Sequence, residues 1–485
     1  MVRVIPVLNV LGVVMMIFAA TMMAPAIVAF VADDAAQRAY DKAVVITLLA
    51  GAILWAATRS RRRELQPRDG FLLVALVWTV LPAFATLPLM FFMPELSFTD
   101  AYFETVSGLT TTGATVLSGL DSLPPSINFW RMFLVWIGGM GVVVLAVAIL
   151  PLLGVGGSQI FKAETPGPMK DAKLTPRIAE TAKGLWGVYA LITVACIVSL
   201  KLAGMTWFDA TVHSFSTMGL GGFAAYDASF GFWNSPAIEA VTILFMLIAG
   251  INFGTHFLAF RRREFSPYAA DSEAWLYLLV VIGSCFAIAW FLLGNHVYAD
   301  YWTALRFASF NVVSIATTTG FASTDYDQWP IFAPAWMLFL CCFATCSGST
   351  GGGIKMVRVV IMVKQSLREL RRIVHPRAHI PVKLGGAVVD NNIVFAVLAF
   401  MLVYGGTIIV LTLLQTASGL DLITAASAIV ACINNTGPGL AKVGPATTYA
   451  VLTDFQTWLC TIAMLLGRLE LMTLLVVFTP GFWRH

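Results

Sequence analysis

The sequence predicts an all-α integral membrane protein of ten transmembrane helices, with four re-entrant loops set in four repeats of span, half-helix, loop and span. Three observations carry that prediction: a strongly apolar composition, basic clusters that fall on one side of the spans, and a short semi-apolar stretch that recurs between later spans and ends in small residues. Apolar residues fill 59% of the 485 positions, charged residues only 12%, and mean hydropathy is +0.83. A soluble domain of this length needs far more polar surface, so this exterior must face lipid. The net charge of +4 says little by itself, because in a membrane protein the placement of charge is what matters. Binding of nucleic acid is excluded, since the arginine clusters sit between apolar runs and have no aromatic platform beside them.

Ten apolar runs approach the roughly 20 residues that a bilayer requires. They cover residues 4–31, 43–57, 71–93, 129–155, 185–203, 238–260, 274–293, 331–363, 392–414 and 455–478. The first is too long for a signal peptide, lacks a small-residue cleavage pattern and is followed by more spans, so it reads as a retained helix. Run two is short for a crossing, and run eight is too long for one straight span. Arg59, Arg61, Arg62, Arg63 and Arg68 follow the second run, and Lys162, Lys170, Lys173, Arg177 and Lys183 follow the fourth. Arg261 to Arg263 follow the sixth, Lys364, Arg368, Arg371, Arg372, Arg377 and Lys383 the eighth, and Arg484 the tenth. Every cluster falls on the same side, which predicts cytoplasmic N- and C-termini and a multi-pass topology.

The stretches 98–115, 208–223, 302–322 and 422–440 lie in the gaps after spans three, five, seven and nine. Each is too short to cross, and all four fall on the side away from the basic clusters. Irregular backbone at membrane depth is tolerated only where it is buried in protein or lines a wet cavity, so each stretch reads as a half-helix returning as a loop. One Thr-Gly cluster between apolar runs is usually a turn; four at matching positions make an internal repeat. The implied units are residues 1–69 (two additional N-terminal helices), 70–183, 184–272, 273–388 and 389–485 (the four repeats).

The loop cores run Thr110 to Thr115, Met218 to Phe223, Thr317 to Ala322 and Asn434 to Gly439. A passage that strips water from a cation must replace its hydration oxygens, and backbone carbonyls can do so if the chain turns them toward one axis. Glycine permits the backbone angles this needs. The predicted cation-binding residues are Thr111, Thr112 and Gly113, Leu220 and Gly221, Thr318, Thr319 and Gly320, and Asn435, Thr436 and Gly437. Counting from the acids Asp100 and Asp209 places Gly221, rather than Gly219, in register with Gly113, Gly320 and Gly437.

Span eight carries Ser347 to Gly353, a run with four glycines in seven residues. Each interior glycine costs a helix about 1 kcal/mol relative to alanine, so the span is expected to break there. Packing through small residues favours spaced glycines rather than three in succession. Gly348, Gly351, Gly352 and Gly353 therefore form a candidate gate. Arg468, near the middle of span ten, is too costly to leave in lipid and is expected to face this segment and oppose cations. Glu470, two residues on, lies on another helix face. The acids Glu95, Asp100, Asp121, Asp227, Asp325 and Asp327 are read as solvated charges that either concentrate cations at the loop mouths or serve no special role. Cys341, Cys342 and Cys346 lack the partners of a zinc site and read, with the other four cysteines, as buried apolar residues. The Asn434-Asn435-Thr436 sequon is a chance match inside a loop. Paired carboxylates, histidine clusters and nucleophile arrangements are missing from the spans, which argues against an enzyme.

These motifs resemble those of the Trk/Ktr/HKT superfamily of potassium transport proteins. The matching segments are Trp136 to Gly141, Ala163 to Pro168, Ser347 to Lys355, Gly467 to Glu470 and the four loops, and the resemblance covers essentially the whole chain. It implies potassium as the transported ion, a filter in which the loops surround one pore, a gating role for the Gly-rich run, a homodimer and a bacterial inner-membrane location. It also implies a cytosolic regulatory subunit, TrkA, that carries the nucleotide (NAD or ATP), with no cofactor in this chain. A cation-coupled symporter with alternating access is the competing reading, since broken helices are common there as well.

Overall fold

The computed structural model describes residues 4–59, 67–141, 178–378, 380–385 and 387–483. Helices α1 (Ile5–Thr21) and α2 (Met23–Ala32) form one apolar span, and α3 (Gln37–Thr58) returns beside α1. The two cross where glycines remove all side-chain bulk: a Cβ on Gly12 would stand 2.8 Å from the Gly51 carbonyl oxygen, and one on Gly51 equally close to that of Gly12. Span two is longer than its apolar run, because α3 begins six residues earlier and carries Arg38, Asp41 and Lys42 at that end.

The first repeat holds α4 (Pro67–Phe92), the half-helix α5 (Phe98–Leu109) and α6 (Pro125–Gly139). Two prolines lie inside α4, and side chains from its neighbours reach the carbonyls of that stretch: Tyr102 to Thr79, Thr105 to Pro82 and Trp130 to Ala85, at 2.9–3.1 Å. The second repeat holds α7 (Ile178–Leu202), the half-helix α8 (Trp207–Gly219), α9 (Pro236–Ala249) and α10 (Phe253–Arg262), followed by the short α11 (Ser266–Ala270). The third holds α12 (Ser272–Gly294), the half-helix α13 (Tyr301–Ala316), α14 (Phe332–Cys341) and α15 (Met356–Val374). The fourth holds α16 (Asn391–Ala417), the half-helix α17 (Leu422–Ile433) and α18 (Asp454–Arg468), then the short α19 (Met472–Leu475) and α20 (Pro480–Trp483).

Several of the expected crossings are bent or broken rather than straight. Among the described residues, six helices are long and apolar enough to cross a membrane, or eight if two bent pairs each count as one span. Span six is bent by 92° between α9 and α10, and span ten by 103° after α18. The first bend falls at Gly250 and Asn252; a Cβ on Gly250 would collide with the Tyr277 hydroxyl, and the Asn252 side chain accepts the Gly254 amide at 2.7 Å to start α10. At the second, Glu470 and Leu471 take positive φ, 52° and 41°, which no helix accommodates. Span eight is a ten-residue helix, an irregular segment and then α15. Span four is described only through α6; its second half, the basic residues of 162–177, the matching segment 163–168, Arg61 to Arg63 and Arg484 lie outside the described residues. The all-α expectation holds apart from a hairpin of two-residue strands, β1 (Lys383–Leu384) and β2 (Ala387–Val388).

Candidate functional site

Each half-helix starts the same way. The Ser97 and Thr206 hydroxyls accept the amides of Asp100 and Asp209 at 3.1 and 3.0 Å, three residues on. In the later repeats the residue types trade places: Asp300 accepts the Thr303 amide at 2.9 Å, and Asp421 that of Thr424 at 3.0 Å. Either order satisfies an amide that a helix start leaves without a partner. Asp300 and Asp421 are exposed, and hydrogen bonds from Thr303 and Thr424 hold their carboxyls below the usual carboxylate range.

Each half-helix also ends the same way. Thr111, Leu220, Thr318 and Asn435 take left-handed φ values of 56°, 54°, 60° and 53°. Two residues on, Gly113, Gly222, Gly320 and Gly437 have φ of 80°, 69°, 92° and 95°. Between them the amides of Thr112, Gly221, Thr319 and Thr436 donate to carbonyls five residues back, at 2.8–3.0 Å. The register expected for the second loop is therefore off by one: Gly221 stands where Thr112, Thr319 and Thr436 stand, and Gly222 is the counterpart of Gly113. The acid count contains the same answer, since 13 positions separate both Asp100 from Gly113 and Asp209 from Gly222.

These glycines close a ring. A Cβ on Gly113 would collide with the Gly221 carbonyl oxygen, one on Gly222 with that of Thr319, and one on Gly320 with that of Thr436. A Cβ on Gly437 would stand 2.7 Å from the carbonyl oxygen of Thr112, which returns the circuit to the first loop. The four carbonyls are equivalent by register, so each loop leans its glycine against the same atom of the next. Further out, the junctions are stitched by different bonds. Asp227 accepts the Gly119 and Leu120 amides at 2.8 and 3.0 Å, Phe230 donates to the Ala322 carbonyl at 3.0 Å, Asp327 accepts the Ala441 amide at 3.2 Å, and Tyr449 donates to the Thr115 carbonyl at 2.8 Å. Asp227 and Asp327, read from sequence as solvated charges, thus tie neighbouring repeats together. Asp325 caps the turn before Trp329, whereas Glu95 and Asp121 are exposed.

The glycine-rich segment lies directly under the loops. The Gly352 amide donates to the Thr318 hydroxyl at 2.8 Å, and the Thr350 hydroxyl to the Met218 carbonyl at 2.9 Å. A Cβ on Gly352 would collide with the Asn434 carbonyl, and one on Gly351 would stand 3.0 Å from that of Thr317. The Cys346 amide pairs with the Gly250 carbonyl and the Phe253 amide with that of Gly348, so Gly348 docks on the bend of span six. Gly353, with φ of 79°, packs under the Cys341 and Cys342 carbonyls. Two residues that the sequence did not single out organise this segment. The Glu273 carboxylate accepts the Ser347 and Val357 amides at 2.9 and 3.0 Å, holding both ends of the excursion with one oxygen. The Lys355 ammonium is buried and donates to the Gly351 carbonyl within it. Lys355, a lone charge just after the glycine run, was the available signal; Glu273 stands far off in sequence, in the first turn of α12.

Arg468 is the last residue of α18, at the bend within span ten. Its guanidinium donates to the Thr350 carbonyl at 2.9 Å and to the Gly138 and Gly139 carbonyls at the end of α6. Helix C-termini carry unpaired carbonyls and partial negative charge, so they suit a cation. Glu470 pairs with Arg358 at 2.7 Å. Among the described residues, no group of three His, Cys, Asp or Glu could hold a metal ion, and the Cys341 and Cys342 thiols contact the Leu338 carbonyl.

A model of the TrkH family, described as cation transport protein, matches residues 36–484. A Trk system potassium uptake protein TrkH from Vibrio parahaemolyticus is 46% identical, covering 99% of both chains. The protein of that name from Escherichia coli is 45% identical over 98% of this chain and 99% of its own, and Trk system potassium uptake protein TrkG from Escherichia coli is 36% identical over 98% and 97%. The crystal structure of the potassium transporter TrkH from Vibrio parahaemolyticus superposes with a TM-score of 0.90 at 42% identity, covering 99% of this chain and 100% of that one. The relatives are named as transport proteins, not enzymes, and the chain belongs to the TrkH family of cation transport proteins.

Proposed function

We propose that this chain conducts potassium ions across a bacterial inner membrane along the axis enclosed by its four loops. The observation that carries the reading is the closed ring, in which each loop's glycine rests on the equivalent carbonyl of the next. Four equivalent loops around one axis can present stacked rings of carbonyl oxygens to a dehydrated cation. The residues are Thr111 to Gly113, Leu220 to Gly222, Thr318 to Gly320 and Asn435 to Gly437. The buried Thr111 and Thr436 hydroxyls, without a hydrogen-bond partner among the described residues, are further oxygens at two successive loop positions. The names of the relatives supply potassium as the ion.

The segment Gly348 to Gly353 serves as the gate. Its place beneath the loops and its bonds to Thr318 and Met218 above it support that role. Arg468 holds it shut by bonding Thr350 and α6 together, and its charge opposes a cation arriving from the loops. Opening requires the segment to withdraw, with Glu273 keeping its ends in place. The exposed apolar face of α15, with Leu367, Leu370 and Ile373, suits burial against a second copy in a homodimer. The basic ends of α10 and α15 suit a cytosolic regulatory subunit such as TrkA.

The test is recording from purified protein in planar bilayers with potassium on one side and sodium on the other. A reversal potential near that of potassium at channel-like rates supports the pore. Slow saturable flux that disappears without a proton or sodium gradient would replace it with the symporter.

A further inference from the structure

Each loop must climb out of the ring as well as turn at its base, and the climb is held by one side chain of its own half-helix. The Val116 amide donates to the Glu104 carboxylate at 3.0 Å, the Ala225 amide to His213 Nε2 at 3.3 Å, the Ser323 amide to Asn311 Oδ1 at 3.2 Å, and the Leu440 amide to the Ser427 hydroxyl at 2.9 Å. Val116, Ala225, Ser323 and Leu440 all lie five positions after the left-handed residue of their loop. Glu104, His213 and Asn311 all lie seven before it, and Ser427 lies eight before. All four acceptors are buried. A buried amide at membrane depth needs a partner, and these are the partners supplied. The chemistry differs in every repeat (carboxylate, imidazole, carboxamide, hydroxyl) while the bond persists.

We infer that these four side chains are positioning residues for the ring: they set the height of each loop's carbonyls and so contribute to discrimination between cations, without touching the ion. The inference rests on the filter reading above. The first clasp reaches furthest. Arg131 bonds Glu104 at 2.8 Å, and its other nitrogens donate to the Thr115 hydroxyl and, across the junction, to the Ala224 carbonyl of the second loop at 3.1 Å. The Arg131 guanidinium also lies over the Phe223 ring, 4.4 Å from its centroid. Glu104 thereby fixes two adjacent loops, whereas His213, Asn311 and Ser427 each fix their own.

Removing one partner of the Glu104–Arg131 pair strands a buried charge and invites misfolding, so the test uses the neutral clasps. His213→Leu removes the acceptor, while His213→Asn installs the side chain that the third repeat uses at the same position. Ser427→Ala removes the fourth acceptor with almost no change in volume. The readout is the sodium-to-potassium permeability ratio from reversal potentials, a quantity that loss of folded protein alone does not move. His213→Leu and Ser427→Ala are expected to raise it by about fivefold, the scale of one lost hydrogen bond, and His213→Asn to leave it within about twofold of the parent. Conducting His213→Leu and Ser427→Ala channels with the parent ratio would overturn the inference. An equal rise in His213→Asn would also overturn it, by showing that the amide bond is not what matters. A parent with no preference for potassium would overturn the filter reading itself, and this inference with it.

Discussion

The loop layer and the layer beneath it are built from the same four repeats, yet they treat repetition in opposite ways. In the loop layer the four copies agree in backbone geometry while their side chains differ: a capped half-helix start, a left-handed residue, a glycine two places on, and an exit amide held by the half-helix. In the layer beneath, the spans that follow the loops diverge. One bends by 92°, one by 103°, and one dissolves into the glycine-rich segment between Cys341 and Met356. A ring that offers the same backbone atom from four sides keeps its backbone geometry in every copy and leaves the side chains free to differ. A gate needs only one element that can move, and three others that hold still around it.

The largest effect is expected where that equivalence is broken. Gly113→Ser places a side chain at φ of 80° against the Gly221 carbonyl. The backbone cost alone is about 1–2 kcal/mol, and the collision adds to it. The sodium-to-potassium permeability ratio should rise toward one, and an unchanged ratio would mean that this glycine is not in the ring. The second loop sharpens the point. Gly222→Ala should behave like Gly113→Ser, because its Cβ meets the Thr319 carbonyl. Gly221→Ala meets the buried Val135 side chain instead of a ring carbonyl, so it should lower the melting temperature more than the selectivity.

Next in size come changes in the layer beneath. Arg468→Ala removes charged hydrogen bonds to Thr350 and to the end of α6, each worth about 1.5–3 kcal/mol. Open probability should rise by about tenfold or more with the permeability ratio unchanged. Glu273→Ala should also raise it, less steeply, because the segment keeps its contacts with Thr318 and Met218 while its ends come free. If either variant altered selectivity and left open probability alone, the division between the two layers would be wrong.

Legibility in the sequence divides along the same line. The loop layer could be read because repetition averages out noise: four semi-apolar stretches with Gly and Thr at their ends could not all be turns. The register slip, Gly221 for Gly222, arose in the loop that has three glycines in a row of four, where composition no longer marks the register and the count from Asp209 agrees with φ in choosing Gly222. The layer beneath was legible as a break in span eight, because glycine runs oppose helices wherever they occur. The bends at Gly250 and after Arg468 were not, because long-range partners impose them: Tyr277 fills the first, and α6 receives the guanidinium at the second. The clasp residues were invisible for a related reason. A Glu, His, Asn or Ser among the other polar residues of a semi-apolar half-helix carries no shared identity, and only the amide it meets reveals that the four do one thing.

The smallest expected effect lies at the loop mouths, and it separates two uses of acidic residues there. Asp227, itself exposed, and the half-buried Asp327 are bonded to backbone amides of the neighbouring repeat, whereas Glu95 and Asp121 are exposed at the mouths. Exposed charges act through the local potential, which salt screens over about 10 Å at 0.1 M. Glu95→Gln with Asp121→Asn should therefore lower single-channel conductance by less than about twofold at low ionic strength, and the difference should vanish as salt is raised. Asp327→Asn should show no such salt dependence, because what it weakens is a bond to Ala441 rather than a field. A salt-sensitive Asp327 variant would place that carboxylate among the charges that gather cations, and would leave Tyr449, Phe230 and Asp227 to hold the junctions of the ring.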